Sequence, residues 1–277
     1  MSSPLGVSFE FFPPRTDVGR EKLVNVREAL SAHQPEFFSV TFGAGGSTRD
    51  RTLETVLTMR ESGVDTAPHL SCVSSDRDEL KVLLSHYREQ GIKRIVALRG
   101  DMPSGQMAAG ELRHANQLIE LIREEHGDHF DLVAAAYPEV HPQAKSYESD
   151  LAFFADKMKA GANRAITQYF FDAEAYFHFV EKARAAGVTQ PIIPGIMPIT
   201  RVDNLLRFSA SCGAGIPRWI QQQLEAYRED DASVRAFGHE VVTRMCERLV
   251  EGGAPGLHFY TLNQAAPTTA ILDSLGY

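Results

Sequence analysis

The chain has 277 residues, 43% of them hydrophobic and 23% charged, which is enough for one large core and short for two ordinary domains, so a single domain over residues 1–277 is expected. A formal net charge of -8 argues against a nucleic-acid partner, whose binding rests on clustered Lys and Arg, and favours a small-molecule substrate. No apolar run approaches the roughly 20 residues of a membrane helix, and the opening MSSPLGVSFEFF lacks the basic-then-apolar layout of a secretory signal, so the expected location is cytoplasmic, with no membrane partner.

Eight short runs rich in Val, Ile and Phe follow one another along the chain, at 7–11, 37–41, 66–70, 94–98, 132–136, 164–168, 192–196 and 257–260. Helical segments separate them, and most begin about 30 residues after the last, the length of one strand, one helix and two turns. Gly63, Gly91, Gly127, Gly161, Gly187 and Gly253 each fall between a helical segment and the next strand, where the left-handed turn that closes a helix suits glycine. The helices read as amphipathic, as in Leu151, Phe154, Ala155 and Met158, or Val234, Phe237, Val241, Met245 and Leu249.

Eight parallel strands in a chain of this length predict closure into a (β/α)8 TIM barrel, which leaves no exposed edge. The open doubly wound alternative lacks its fingerprint, since the glycines of GAGGS at 43–47 have the wrong spacing for GxGxxG. The stretch 197–256 between strands seven and eight is long enough to hold extra helices around GIPRW and QQQLEAYREDD. Cys72, Cys212 and Cys246 are odd in number and widely spaced, which reads as reduced structural thiols. His126 and His129 in EEHGDHF lack a third ligand nearby, so a solvated loop is expected there and no metal site.

In such a barrel chemistry sits where the strands end. Here the ends are polar: Glu10, Thr41, His69, Arg99 with Asp101, Tyr137 with His141, Gln168, and Tyr260 with Asn263. Glu10 lies among Phe9, Phe11 and Phe12, where poor hydration would favour its protonated form and make it a proton donor near neutral pH. A salt bridge to Arg15 is the competing reading. In LRGD, Gly100 lets backbone approach a ligand while Arg99 and Asp101 offer a cation and an acceptor; a solvated turn fits equally. Tyr137 and His141 suit the lining of a broad planar ligand or simple packing, and Gln168 suits a heterocyclic amide edge or a cap. Phe208 stands at helical spacing from Leu205, which by itself reads as core.

Taken in order, SFEFFPP, VTFGAGGSTRDRT, PHLSC, LRGD, AAYPEVHP, GANRAITQYFFD, PGIMP, GIPRW and HFYTLN resemble the bacterial-type methylenetetrahydrofolate reductase family along nearly the whole chain. The resemblance implies FAD as cofactor and a ping-pong hydride transfer from NAD(P)H to 5,10-methylenetetrahydrofolate, giving 5-methyltetrahydrofolate for methionine synthesis. It implies Glu10 as the general acid and Asp101 as a catalytic group beside flavin and pterin. Substrate contacts would come from Gln168, Phe208, Thr41, Asn204 and Gln264. The flavin would be held by Thr41, Phe42, Ala44, His69, Arg99, Gly100, Asp101, His114, Ala115, Tyr137, His141, Ala144, Asp150 and Lys157. Phe42, His114 and Asp156, with Asn204 and Gln264, depart from residues found in relatives. A homo-oligomer is implied, and the end at Tyr277 implies that the C-terminal regulatory domain of eukaryotic relatives is absent. Rival readings are another flavoprotein on the same barrel, such as a proline dehydrogenase, a barrel reductase with a different hydride donor, and a non-catalytic barrel.

Overall fold

In the computed structural model, which describes residues 5–42, 49–73, 75–100 and 111–277, eight strands alternate with helices in the expected order. The first half runs β1 (Gly6–Phe11), α1 (Asp17–Ser31), β2 (Phe37–Val40), α2 (Arg49–Arg60), β3 (Thr66–Ser71), α3 (Arg77–Glu89), β4 (Arg94–Leu98) and α4 (Ala115–His126). The second half runs β5 (Asp131–Ala136), α5 (Tyr147–Lys159), β6 (Arg164–Tyr169), α6 (Ala173–Ala185) and β7 (Ile192–Ile196), then the three helices α7 (Val202–Cys212), α8 (Arg218–Ala226) and α9 (Asp231–Glu251), and finally β8 (Gly256–Tyr260) and α10 (Ala266–Ser274). Every strand pairs in parallel with the next, and β1 pairs with β8 to close the barrel.

The six glycines expected between helices and strands all have positive φ, from 55° at Gly127 to 118° at Gly161. Side-chain oxygens of Thr16, Asp76, Ser146, Asp172 and Asp230 accept backbone N–H bonds at the starts of α1, α3, α5, α6 and α9, satisfying donors that a helix start leaves over. Extra helices fill the long stretch before β8 as its length predicts.

Strand alternation divides the core into two. Phe9, Phe11, Phe38 and Phe259 are fully buried between sheet and helices, with Phe11 edge-on to Phe38 at a ring separation of 5.3 Å. Burying each such ring is worth about 1.5–3 kcal/mol. The opposite face of the strands fills the barrel with Phe37, Ala67, Val96, Val133, Ile166 and Ile193. This apolar plug separates two polar ends.

At the N-terminal end the charges face one another. Arg94 Nε lies 2.8 Å from Asp131 Oδ2, Arg164 reaches the same oxygen at 3.3 Å and Glu36 at 2.9 Å, and Arg94 stacks over the Phe37 ring at 4.2 Å. His126 and His129 do not lie in a solvated loop: both rings pack edge-on to the buried Phe130 at 5.4 and 4.6 Å, and burial holds both below the ordinary imidazole value. Among the described residues no group of three His, Cys, Asp or Glu side chains is placed to hold a metal ion.

Candidate active site

Inward-facing positions continue past the plug to the C-terminal mouth, where they line a cavity of about 500 Å³. Glu10, His69, Gln168 and Tyr260 face it from the strands. Thr41 and Phe42 line it just after β2, Arg99 and Gly100 after β4, and Tyr137 and His141 after β5. Ala115 at the start of α4, Lys157 on α5 and Phe208 on α7 complete the predicted residues found there. Ala44 and Asp101 lie outside the described residues.

Glu10 is differently surrounded than its sequence neighbours suggest. Phe9 and Phe11 belong to the helix-facing core, because adjacent residues of a strand point to opposite faces. Arg15 is exposed and is not its partner. Two imidazoles flank it instead: His69 Nε2 stands 3.4 Å from Oε2, and His258 Nε2 stands 3.8 Å from the same atom. The His69 contact lacks hydrogen-bond geometry, leaving that buried nitrogen without a partner. Burial holds His69 below its ordinary value; the Glu10 charge opposes this and His258 adds to it. His69 is therefore read as neutral at pH 7.

Tyr260 crosses the top of the barrel and donates its hydroxyl to the Thr167 carbonyl at 2.7 Å. Gly195 makes room for it, since a Cβ there would stand 2.7 Å from the Tyr260 ring and 2.1 Å from the Thr167 oxygen. Burial raises the Tyr260 phenol well above its usual value, and the Glu10 charge adds to this. Its proton is thus committed to the backbone. Gln168 accepts from the Tyr169 N–H through Oε1 at 3.0 Å, which leaves its amide nitrogen as the donor at the cavity wall.

The opposite wall is cationic. Lys157 Nζ donates to the Ala135 carbonyl at 2.5 Å, and burial pushes its ammonium down to about 8, with Asp150 opposing and Arg99 adding to the depression. Arg99 is braced by Gln143 Oε1 at 2.5 Å. Gly100, at φ 88°, turns the chain so closely past Ser71 that a Cβ would meet Ser71 Oγ at 1.8 Å. Any side chain would displace that turn.

Other predicted residues stand behind the wall or away from it. Asp150 Oδ2 accepts from the His141 N–H at 2.7 Å and the Ala144 N–H donates to the His141 carbonyl at 2.8 Å, so both shape the His141 turn without lining the cavity. The Gln143 N–H donates to His141 Nδ1 at 3.0 Å, which places the ring proton on Nε2. His114 precedes α4 and stacks on Phe153 at 5.9 Å. Asn204 accepts from Arg207 on α7, and Gln264 donates its N–H to the Thr261 carbonyl; neither lines the cavity. Asn263 pins the chain after β1, donating to the Phe12 carbonyl and accepting the Phe12 N–H. Phe208, read as core from its spacing, packs partly against the core yet reaches the cavity.

Three cavity or floor residues escape motif reasoning. Ser8 donates or accepts at His258 Nδ1 over 2.7 Å, one layer beneath Glu10. The signal for both was the two-residue period, which puts Ser8 with Glu10 and His258 with Tyr260 on the inner face. Cys212 also lines the cavity, with its Sγ 3.3 Å from the Tyr169 hydroxyl, so it is more than a buried structural thiol. Cys72 and Cys246 are buried, and burial raises their thiols to about 11 and about 12.

A family model for methylenetetrahydrofolate reductase matches residues 3–276. The chain belongs to the methylenetetrahydrofolate reductase family. It is 41% identical to the 5,10-methylenetetrahydrofolate reductase of Pectobacterium carotovorum over 98% of this chain and 90% of that protein. The Escherichia coli K12 reductase is 40% identical, again over 98% of this chain, and 91% of its own length. Against the methylenetetrahydrofolate reductase (NADH) 1 of Arabidopsis thaliana the identity is 38% over 97% of this chain, which spans 48% of the plant protein. Among solved structures, a Clostridium thermocellum protein described as binding two copies of 5-methyl-5,6,7,8-tetrahydrofolic acid superposes with a TM-score of 0.69 at 16% identity, covering 97% of this chain and 93% of that one, which shows the shared barrel fold. The chain is thus an enzyme of the family that reduces methylenetetrahydrofolate. No helix among its described residues is long and apolar enough to cross a membrane.

Proposed function

We propose that this methylenetetrahydrofolate reductase works by ping-pong hydride transfer through bound FAD, with NAD(P)H as donor and 5-methyltetrahydrofolate as product. The observation that carries this reading is the division of the cavity: a carboxyl group between two imidazoles on one side, and Arg99 with Lys157 on the other. Lys157, whose ammonium is destabilised by burial, fits an anionic group such as the diphosphate of a dinucleotide. The small side chains of Ala115, Ala135 and Ala136 and the absent side chain of Gly100 leave space for a planar ring. His69, Arg99, Tyr137 and His141 would complete the hold, with Ala144 and Asp150 supporting the His141 turn.

The chemistry FAD supplies when bound is hydride carriage between the nicotinamide and the folate. The protein's own part is proton placement and orientation. Glu10 donates its proton to the folate amine whose C–N bond opens, which leaves the reactive iminium on the folate and a carboxylate on Glu10. Gln168 holds the pterin edge, and Phe208 stacks on whichever substrate occupies the mouth. By the family's pattern Asp101 sets the charge beside flavin and pterin, while Thr41 contributes to both ligands. The enzyme is placed in the cytoplasm, as one catalytic domain that forms a homo-oligomer and supplies methyl groups for methionine synthesis.

The test is direct. Purified protein should show flavin absorbance, as isolated or after FAD is added, and under anaerobic conditions should oxidise NADH or NADPH beyond one equivalent of flavin only when methylenetetrahydrofolate is present. Protein that stays colourless with FAD rejects the flavin reading. Rates with each nicotinamide donor identify the preferred one.

A further inference from the structure

Strand β6 carries one residue more than its neighbour β7: Ile166 is in register with Ile193, whereas Tyr169, three residues on, is in register with Gly195, two residues on. A bulge of this kind breaks the two-residue period of a strand and re-aims the side chains beyond it. Here it brings two consecutive residues, Gln168 and Tyr169, to the cavity. The break is sealed locally, since the Thr167 hydroxyl accepts the Gly195 N–H at 2.9 Å and the Thr167 carbonyl takes the Tyr260 proton. The Tyr169 hydroxyl is left for another element.

That element is α7. Tyr169 is buried, with its ring edge-on to Phe171 at 5.8 Å and to Tyr260 at 6.2 Å, and its hydroxyl lies 3.1 Å from Ser209 Oγ while the Cys212 thiol donates to it at 3.3 Å. Burial raises the phenol above its ordinary value, with the Cys212 thiol adding to this and the Ser209 hydroxyl opposing it, so the phenol keeps its proton and Ser209 Oγ is the acceptor within reach. Ser209 and Cys212 stand three residues apart and share the helix face turned to β6. Phe208, next to Ser209, reaches the cavity, whereas Ser209 does not line it.

The helix has little else to hold its second half. Its buried apolar side chains are Val202 and Leu205, both near its start, and Phe208 and Cys212 are only partly buried. Just past its end, Glu139 Oε2 accepts the Gly215 N–H at 2.8 Å. The segment that bears Phe208 is therefore fixed mainly by polar contacts.

We propose that Tyr169 is a positioning residue for substrate binding: its hydroxyl ties α7 to the bulged strand through Ser209 and Cys212 and so fixes where the Phe208 ring meets a ligand in the mouth. The inference rests on the reading of Phe208 as the ring that stacks on either substrate. Stacking depends on ring separation and offset. A helix free to pivot about Val202 and Leu205 spreads Phe208 over several poses, and ordering them on binding weakens affinity. The ring contact is present before and during hydride transfer alike, so its loss raises the concentration needed for half-saturation and leaves the limiting rate in place.

Tyr169→Phe keeps the ring and removes only the hydroxyl, and Ser209→Ala removes its partner at a position that does not line the cavity. In rapid-mixing measurement of each half-reaction, both variants should raise the half-saturating concentrations of NAD(P)H and of methylenetetrahydrofolate about fivefold, the scale of one neutral hydrogen bond. Limiting rates and FAD affinity should stay within about twofold of wild type. The decisive readout is coupling: in a Phe208→Ala background, which itself weakens both substrates, adding Tyr169→Phe should change neither constant further. Unchanged half-saturation in Tyr169→Phe overturns the inference, as does a Tyr169→Phe effect that persists in full without the Phe208 ring. An effect in Tyr169→Phe that Ser209→Ala does not share overturns it too, because the hydroxyl then acts on the ligand directly, and so does an equal loss of FAD affinity, which marks a general loosening of the barrel. If Phe208→Ala alone leaves both half-saturating concentrations unchanged, the stacking reading fails and this inference falls with it.

Discussion

The two ends of the barrel use charge in opposite ways. At the N-terminal end Arg94, Asp131, Arg164 and Glu36 pair as ions across strand starts, with Asp131 Oδ2 shared between two guanidinium groups at 2.8 and 3.3 Å, although Asp131 Oδ1, one Arg94 nitrogen and Arg164 Nε accept or donate no hydrogen bond. At the C-terminal mouth Lys157 is answered by a backbone carbonyl, and the Glu10 carboxylate oxygen faces two imidazoles rather than a guanidinium. Charges paired with opposite charges offer a ligand little; a set of groups whose partners are weak or distant keeps its interactions for a ligand. The apolar plug between the ends keeps the two regimes separate.

Substitutions at the two ends should therefore separate activity from stability. The largest effect is expected at the mouth: Glu10→Gln should slow folate reduction by about 10²–10⁴-fold, the range of a general acid, while flavin reduction by NAD(P)H stays near wild type. Rapid-mixing measurement of each half-reaction decides this, and equal loss in both contradicts the assignment. At the other end Asp131→Asn should cost about 2 kcal/mol in urea unfolding, since it leaves Arg94 and Arg164 short of a shared partner in a partly exposed site, with turnover per folded molecule unchanged. A drop in turnover without loss of stability would break the contrast.

The smallest effect is a pH dependence. Lys157 has its value pushed down to about 8, so it carries its charge below that pH and loses it above. A bound anion favours the charged form, and flavin affinity should weaken as pH rises through this range. For the flavin-free protein the sign is reversed. Between about 8 and the ordinary lysine value near 10.4 the unfolded chain holds the proton that the folded chain has released, so stability from this group rises with pH. Fluorescence titration of FAD and thermal unfolding of flavin-free protein across pH 7–10, each compared with Lys157→Met, read the two trends.

The barrel was legible because its signals are local and repeat: apolar runs of strand length, helices of amphipathic period, and a glycine at each of six turns. The strand ends followed from that count, and most predicted site residues do line one cavity. What local reading mistook was adjacency. Phe9 and Phe11 are next to Glu10 in the chain but on the other face of the sheet, whereas its neighbours in space, His69 and His258, come from other strands. Asn204 and Gln264 stood on resemblance to relatives alone, and neither is among the residues lining the cavity, although Phe208, one turn on from Asn204, and Leu262 at the β8 exit are. The network of Arg94, Asp131, Arg164 and Glu36 is scattered over more than a hundred positions, and only parallel register gathers it.

The seam between β1 and β8 has a consequence in time. Ser8 and His258 are 250 positions apart, and the Thr261 hydroxyl and Asn263 bind the backbone at Glu10 and Phe12 across a separation of 251. During synthesis β1 leaves the ribosome first and waits for its last neighbour until nearly all of the described chain has been made. Until then the sheet has two open edges, and Glu10 stands on a strand without the neighbour that brings His258 and Tyr260 to it. A nascent chain can acquire most of its helices and the cationic wall of its cavity early, yet the surroundings of Glu10 are completed in a single late event, when β8 docks.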